Sequence, residues 1–119
     1  MAELTILPNT TTSLLHGQTT LGAASDAITI NVGGTADFMG VQINAGLTGT
    51  ITYTGSVDGT TFSAIQGTNI DATAGSLTDT TFGKVKVFDV RPLQFIRLQI
   101  TAFTSGSSLL IWTVNLVGK

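Results

Sequence analysis

The sequence predicts an all-β fold: a single antiparallel β-sandwich of about 8–9 strands, jelly-roll or immunoglobulin-like, with an N-terminal arm. Three observations carry that expectation. Apolar residues recur with a period of two through most of the 119-residue chain, and helical spacing is almost absent. Threonine (22 residues) and glycine (14 residues) dominate the composition, which suits the polar positions of strands and the turns between them. The apolar runs are short and punctuated, as strands are.

Residues 3–7 read as a short strand, closed by Pro8 and the polar run Asn9-Thr10-Thr11-Thr12. Leu14 and Leu15 form an isolated apolar pair, followed by His16-Gly17 and a stretch rich in threonine, glycine and alanine to Asp26. Residues 1–26 hold too little apolar content for a core of their own, so they are expected as an arm or edge segment. Residues 27–119 are expected as the sandwich domain. There Ile28, Ile30 and Val32 share one face of a strand that Gly33-Gly34 ends. Met39, Val41 and Ile43 alternate with Gly40, Gln42 and Asn44, and Ile51, Tyr53, Gly55 and Val57 alternate with threonines and Ser56.

Asp58-Gly59 predicts a type I′ hairpin turn, which needs positive φ at both central residues. The returning strand falls at 61–66, with Phe62 as its core anchor. A looser stretch, 67–83, contains Asp71, Asp79 and a short strand near 69–72. Val85 and Val87 alternate with Lys84 and Lys86, which places both lysines on a solvated face. Arg91-Pro92 marks a corner. Ile96, Leu98 and Ile100 then alternate with Phe95, Arg97, Gln99 and Thr101. After the turn Thr104-Ser105-Gly106-Ser107, Leu110, Trp112, Val114 and Leu116 share a face of the terminal strand.

Composition narrows the function. Charged residues make up 10% of the chain and apolar ones 42%, where an average domain carries about a quarter charged. Such a surface disfavours a free monomeric enzyme and favours an assembly protein. A net charge of −2 with five basic residues argues against a nucleic-acid partner. No run approaches the roughly 18 apolar residues of a membrane helix, and Met1-Ala2-Glu3-Leu4 does not open a signal peptide. The expectation is synthesis in the cytoplasm without a signal peptide, and no membrane partner.

No catalytic, cofactor-binding or metal residue is expected. The absence of cysteine removes disulfides, thiolate zinc and cysteine nucleophiles. The single histidine, His16, has Ser13 and Asp26 nearby, but lies in the weakly patterned N-terminal segment and reads as an exposed polar residue. Asp26, Asp37, Asp58, Asp71, Asp79 and Asp89 lack the spacing of a calcium loop and read as turn formers. A carboxylate-pair hydrolase would need a cleft for which a chain this small and aromatic-poor offers little material. Gly33-Gly34 opens no helix, so it cradles no phosphate. Asn9-Thr10-Thr11 matches the glycosylation acceptor pattern by chance.

The outward parity is more informative. Phe95 and Phe103 share it with Arg97, and Leu109 and Ile111 lie opposite Trp112. Either the N-terminal arm covers these residues within one chain, or they form a subunit interface. With Leu4, Ile6, Leu14 and Leu15 of the arm, they constitute the candidate partner interface.

The segment Gly55-Ser56-Val57-Asp58-Gly59-Thr60-Thr61-Phe62, followed by Phe88-Asp89-Val90-Arg91-Pro92-Leu93-Gln94-Phe95-Ile96-Arg97-Leu98, resembles a recurrent pattern in small β-sandwich proteins of tailed-phage virions. The likeness spans roughly residues 48–117. It implies a virion component, and for this size a capsid decoration (cement) protein: a homotrimer on the outer capsid surface, partnered with itself and the major capsid protein. A similar hairpin occurs in discoidin-like and other carbohydrate-binding sandwiches. The alternative is therefore a tail, fibre or baseplate module touching glycans, although only Tyr53 and Trp112 would be available to stack on a sugar, and Trp112 is expected buried.

Overall fold

The computed structural model describes residues 4–13, 15–33, 36–65, 68–69, 78–79, 83–90 and 93–116. Leu14, Asp71 and the Arg91-Pro92 corner lie outside them, as do the side chains of Leu4 and Lys84. Among the described residues every regular element is a strand: β1 (Leu4–Thr5), β2 (Thr10–Thr12), β3 (His16–Leu21), β4 (Ala27–Asn31), β5 (Ala36–Ile43), β6 (Thr48–Ser56), β7 (Ser63–Ala64), β8 (Thr68–Asn69), β9 (Thr78–Asp79), β10 (Lys84–Asp89), β11 (Phe95–Ser105) and β12 (Ser108–Leu116).

Two sheets pack face to face. The first has the order β1-β3-β12-β5-β10-β8, and the second β2-β4-β11-β6-β7, with β9 also pairing β6. Ladders are antiparallel except at the N-terminal edges, where β1 runs parallel to β3 and β2 parallel to β4. Each step through the long strands β3, β4, β5, β6, β10, β11 and β12 crosses from one sheet to the other. β12 inserts between β3 and β5, and β11 between β4 and β6. That winding is a jelly roll. An immunoglobulin sandwich would instead pair consecutive strands within a sheet.

The core lies between the sheets and follows the period of two. Ile28, Ile30, Met39, Val41, Ile51, Tyr53, Ile96, Leu98, Ile100, Leu110 and Trp112 are all buried in one cluster. Residues 4–21, read from sequence as arm or edge, run as β1 and β2 at the sheet edges and β3 inside the first sheet. Gly17, Thr19 and Leu21 of β3 point into the sandwich. Small and polar residues fill inward positions there, so the hydrophobic pattern is silent.

Four expectations need correction. The Asp58-Gly59 connection is not a type I′ turn, because only Gly59 has positive φ (80°). It is a longer loop closed by side chains, with pairing resuming at Gly55↔Ser63. Val57, expected inward, is 66% exposed because β6 ends at Ser56. Phe62 is half-buried on the outer side of the second sheet instead of anchoring the core.

The fourth correction reverses β10. Lys86 is buried (7% exposed), while Val85 and Val87 are half-buried and face outward. Phe88 and Val90 decide this parity. Phe88 packs inward against Tyr53, ring centroids 5.0 Å apart, and Lys86 shares its face.

Backbone contacts fix the ends of the sandwich. Gly46 and Gly106 have φ of 146° and 80°, and the β5–β6 connection lies directly on the β11–β12 turn. A Cβ on Gly106 would stand 2.1 Å from the Gly46 carbonyl oxygen, and one on Gly46 would stand 2.2 Å from that of Ser107. The buried Ser108 hydroxyl accepts the Leu47 N–H at 3.0 Å.

At the other corner Asn9 adopts φ 64°. Its amide donates to Asp26 Oδ1 (2.9 Å) and accepts the Ala27 N–H (3.1 Å). Asp26 Oδ2 accepts the N–H groups of Gly22 and Ala23. Asp26 is thus a turn former, as its residue type suggested.

Candidate interaction surfaces

Among the described residues, the candidate interface does not form one surface. Leu109 and Ile111 lie on the outer face of the first sheet, and Phe95 and Arg97 on the outer face of the second, whereas the register shift between Ile100 and Ala102 takes Phe103, expected to share their parity, off that face. Ile6 and Leu15 pack against the core from its edge. The two outer faces therefore differ in kind.

On the first sheet, pairing registers align Gln18, Ile111, Gln42 and Val85 in one cross-strand row. The next row reads His16, Thr113, Gly40 and Val87. Residues opposite one another in a ladder share a face. This face therefore carries Leu109, Ile111, Val85 and Val87, all half-buried, with Phe38 (41% exposed) beyond them on β5. Gly40 contributes no side chain. Above it lies a hollow of about 160 Å³ bordered by His16, Gln42, Val85, Ile111 and Thr113. The result is a mixed surface on which Leu109, Ile111, Val85 and Val87 stand among Gln18, Gln42, His16 and Thr113 around a central depression. Sequence reading found half of it and missed Val85 and Val87, although Phe88 and Val90 on the opposite parity were the available signal.

The second sheet is polar. Thr11, Thr29, Arg97 and Thr54 align in one row across β2, β4, β11 and β6. The Arg97 guanidinium lies over the Phe62 ring, its carbon 3.9 Å from the centroid, and Nε–H donates to Thr29 Oγ1 at 3.2 Å. Ring stacking and this bond hold the guanidinium in place. Phe95 is half-buried beneath the β6–β7 loop. A Cβ on Gly59 would touch its ring at 2.9 Å. Phe103, beyond the register shift in β11, pairs with Gly49 near the end of the strand and is 36% exposed.

That loop is held by a compact hydrogen-bond set. Ser56 Oγ accepts the N–H groups of Asp58 (3.2 Å) and Gly59 (2.9 Å) and donates to Asp58 Oδ1 (3.0 Å). The same carboxylate oxygen accepts the N–H groups of Thr60 (2.8 Å) and Thr61 (2.9 Å). Bonds from Thr61, Thr60 and Ser56 stabilise the charged form and hold the Asp58 carboxyl below its ordinary value of 3.8. The Ser-x-Asp-Gly motif is therefore a loop clamp.

Among the described residues no group of three His, Cys, Asp or Glu side chains is placed to hold a metal ion, and no helix is long and apolar enough to cross a membrane.

No protein-family model matches the chain, and a search of curated proteins likewise finds no match. Solved structures do share the fold. The SPBc2 prophage-derived protein YomS superposes with a TM-score of 0.66 at 16% identity, covering 86% of this chain and 96% of YomS. The PBSX exported protein XepA gives 0.64 at 19% identity, covering 86% of this chain and 39% of XepA. The chain is thus similar in fold to two phage-derived proteins, spanning nearly all of one and well under half of the other.

Proposed function

We propose that this chain is a non-enzymatic structural protein of a phage particle. More specifically, it is a decoration protein that sits as a homotrimer on the outer capsid surface and stabilises the shell through contact with the major capsid protein. One observation carries the reading: the outer face of the first sheet presents Leu109, Ile111, Val85 and Val87 around the hollow over Gly40. In a chain with 10% charged residues this is surface suited to cover by a partner. Burying such a face yields on the order of 25 cal/mol per Å², enough for adhesion without chemistry. The phage origin of the two fold neighbours and the hairpin resemblance support the same assignment.

The test is cosedimentation of the purified protein with empty shells assembled from the major capsid protein of the same genome, with its mass in solution measured by sedimentation equilibrium. Saturable binding to shells by a trimer is expected. A protein that remains monomeric and stays in the supernatant contradicts the proposal, as does labelling of tails instead of heads on intact particles.

A further inference from the structure

The opposite face holds a second feature with different chemistry. Between β2 and β11 runs a groove of about 260 Å³, floored by Ala27 and Thr29 and walled by Thr10 and Thr11 on one side and Arg97 and Gln99 on the other. Arg97 is the only charged residue in its lining among the described residues. The Arg97 Nε–H is bound to Thr29, and the guanidinium carbon lies over the Phe62 ring. Among the described residues no carboxylate pairs with Arg97, and its terminal Nη groups have no hydrogen-bond acceptor. Around it stand groups with unused capacity. The Thr11 hydroxyl has no hydrogen-bond partner among the described residues, Thr29 keeps its own O–H to donate, and Gln99 uses only its Nε2, toward the Ser25 carbonyl at 3.5 Å.

We infer that this groove binds an acidic saccharide, with the sugar carboxylate on the Nη groups of Arg97 and ring hydroxyls on Thr11, Thr29 and Gln99. The chemistry is specific on both counts. A planar guanidinium fixed in advance matches a carboxylate through two parallel bonds and loses little freedom on binding. Neutral hydroxyl and amide groups suit a polyol, whereas an apolar peptide side chain would leave them unpaired. The groove lies on the sheet opposite the proposed shell contact, so both surfaces can be occupied together, and this inference does not depend on the shell assignment.

The experiment is a titration of the ¹⁵N-labelled protein with D-glucuronate, D-glucose and acetate, following the Arg97 Nε–H and backbone amide signals. Glucuronate should shift Arg97, Thr11, Thr29 and Gln99 saturably. Glucose and acetate, each lacking half of the recognised chemistry, should bind at least about tenfold more weakly. Arg97→Gln should abolish binding. Thr11→Val lies on the opposite wall, away from the Phe62 contact, and should weaken binding about threefold with the remaining spectrum unchanged. Equal affinity for glucose or acetate, undiminished binding in Thr11→Val or Arg97→Gln, or no saturable shift with glucuronate would overturn the inference.

Discussion

Thr19 lies on β3 with its hydroxyl sealed inside the sandwich and no hydrogen-bond partner for Oγ1 among the described residues. An unpaired buried hydroxyl costs free energy that an isosteric methyl does not. Thr19→Val should therefore raise unfolding stability by about 1 kcal/mol, read from the urea midpoint at constant m-value. A loss of stability would show that the hydroxyl has a role that its surroundings do not reveal. Asp58 gives a second residue-scale prediction. Its carboxyl is held below 3.8 by the N–H groups of Thr61 and Thr60 and the Ser56 hydroxyl. A depressed folded value means that its contribution is present above the unfolded value and disappears as pH falls through the folded one. Side-chain NMR titration should place the Asp58 midpoint below 3.8, and Asp58→Asn should flatten the loss of stability across that acidic window. A midpoint at or above the ordinary value would dissolve the loop clamp.

Elements were legible where one face was plainly apolar. Ile28 to Val32, Met39 to Ile43, Ile96 to Ile100 and Leu110 to Val114 all fall inward as the alternation requires. Legibility failed where both parities carry apolar residues. In Val85-Lys86-Val87-Phe88 the larger aromatic ring wins the interior and carries Lys86 with it. It failed again at Asp58-Gly59, where a dipeptide typical of tight hairpins is embedded in a longer loop closed by Ser56. Connections also respond to backbone geometry that composition conceals. Gly106 and Gly83 both have positive φ, but a Cβ on Gly106 meets the Gly46 carbonyl whereas one on Gly83 meets nothing within 4 Å. Gly83→Ala should cost about 1 kcal/mol from φ alone, and Gly106→Ala at least about 2 kcal/mol, because two connections must also separate. Equal thermal shifts for the two variants would contradict the backbone-on-backbone packing of these turns.

At the scale of the whole molecule, the alternation specified a sandwich but not its winding. Jelly-roll and immunoglobulin-like chains share the same local pattern, and only the insertion of β12 between β3 and β5 and of β11 between β4 and β6 separates them. The candidate interface was legible in part for the same reason. Parity identifies an outward residue, but not the sheet on which it stands, so Ile111 and Phe95 appeared to belong together. The winding assigns them to opposite faces and leaves a face bearing Leu109, Ile111, Val85 and Val87 on one side and an arginine-bearing groove on the other. On the proposed function, the outer face of the first sheet is the adhesive one. Ile111→Lys adds a charge beside the hollow over Gly40 on an outward strand position, where it should leave the fold intact. The most direct measurement compares the affinity of wild-type protein and Ile111→Lys for empty shells. A loss of at least about tenfold with unchanged thermal stability is the predicted result. Equal affinity for the two proteins would contradict the claim.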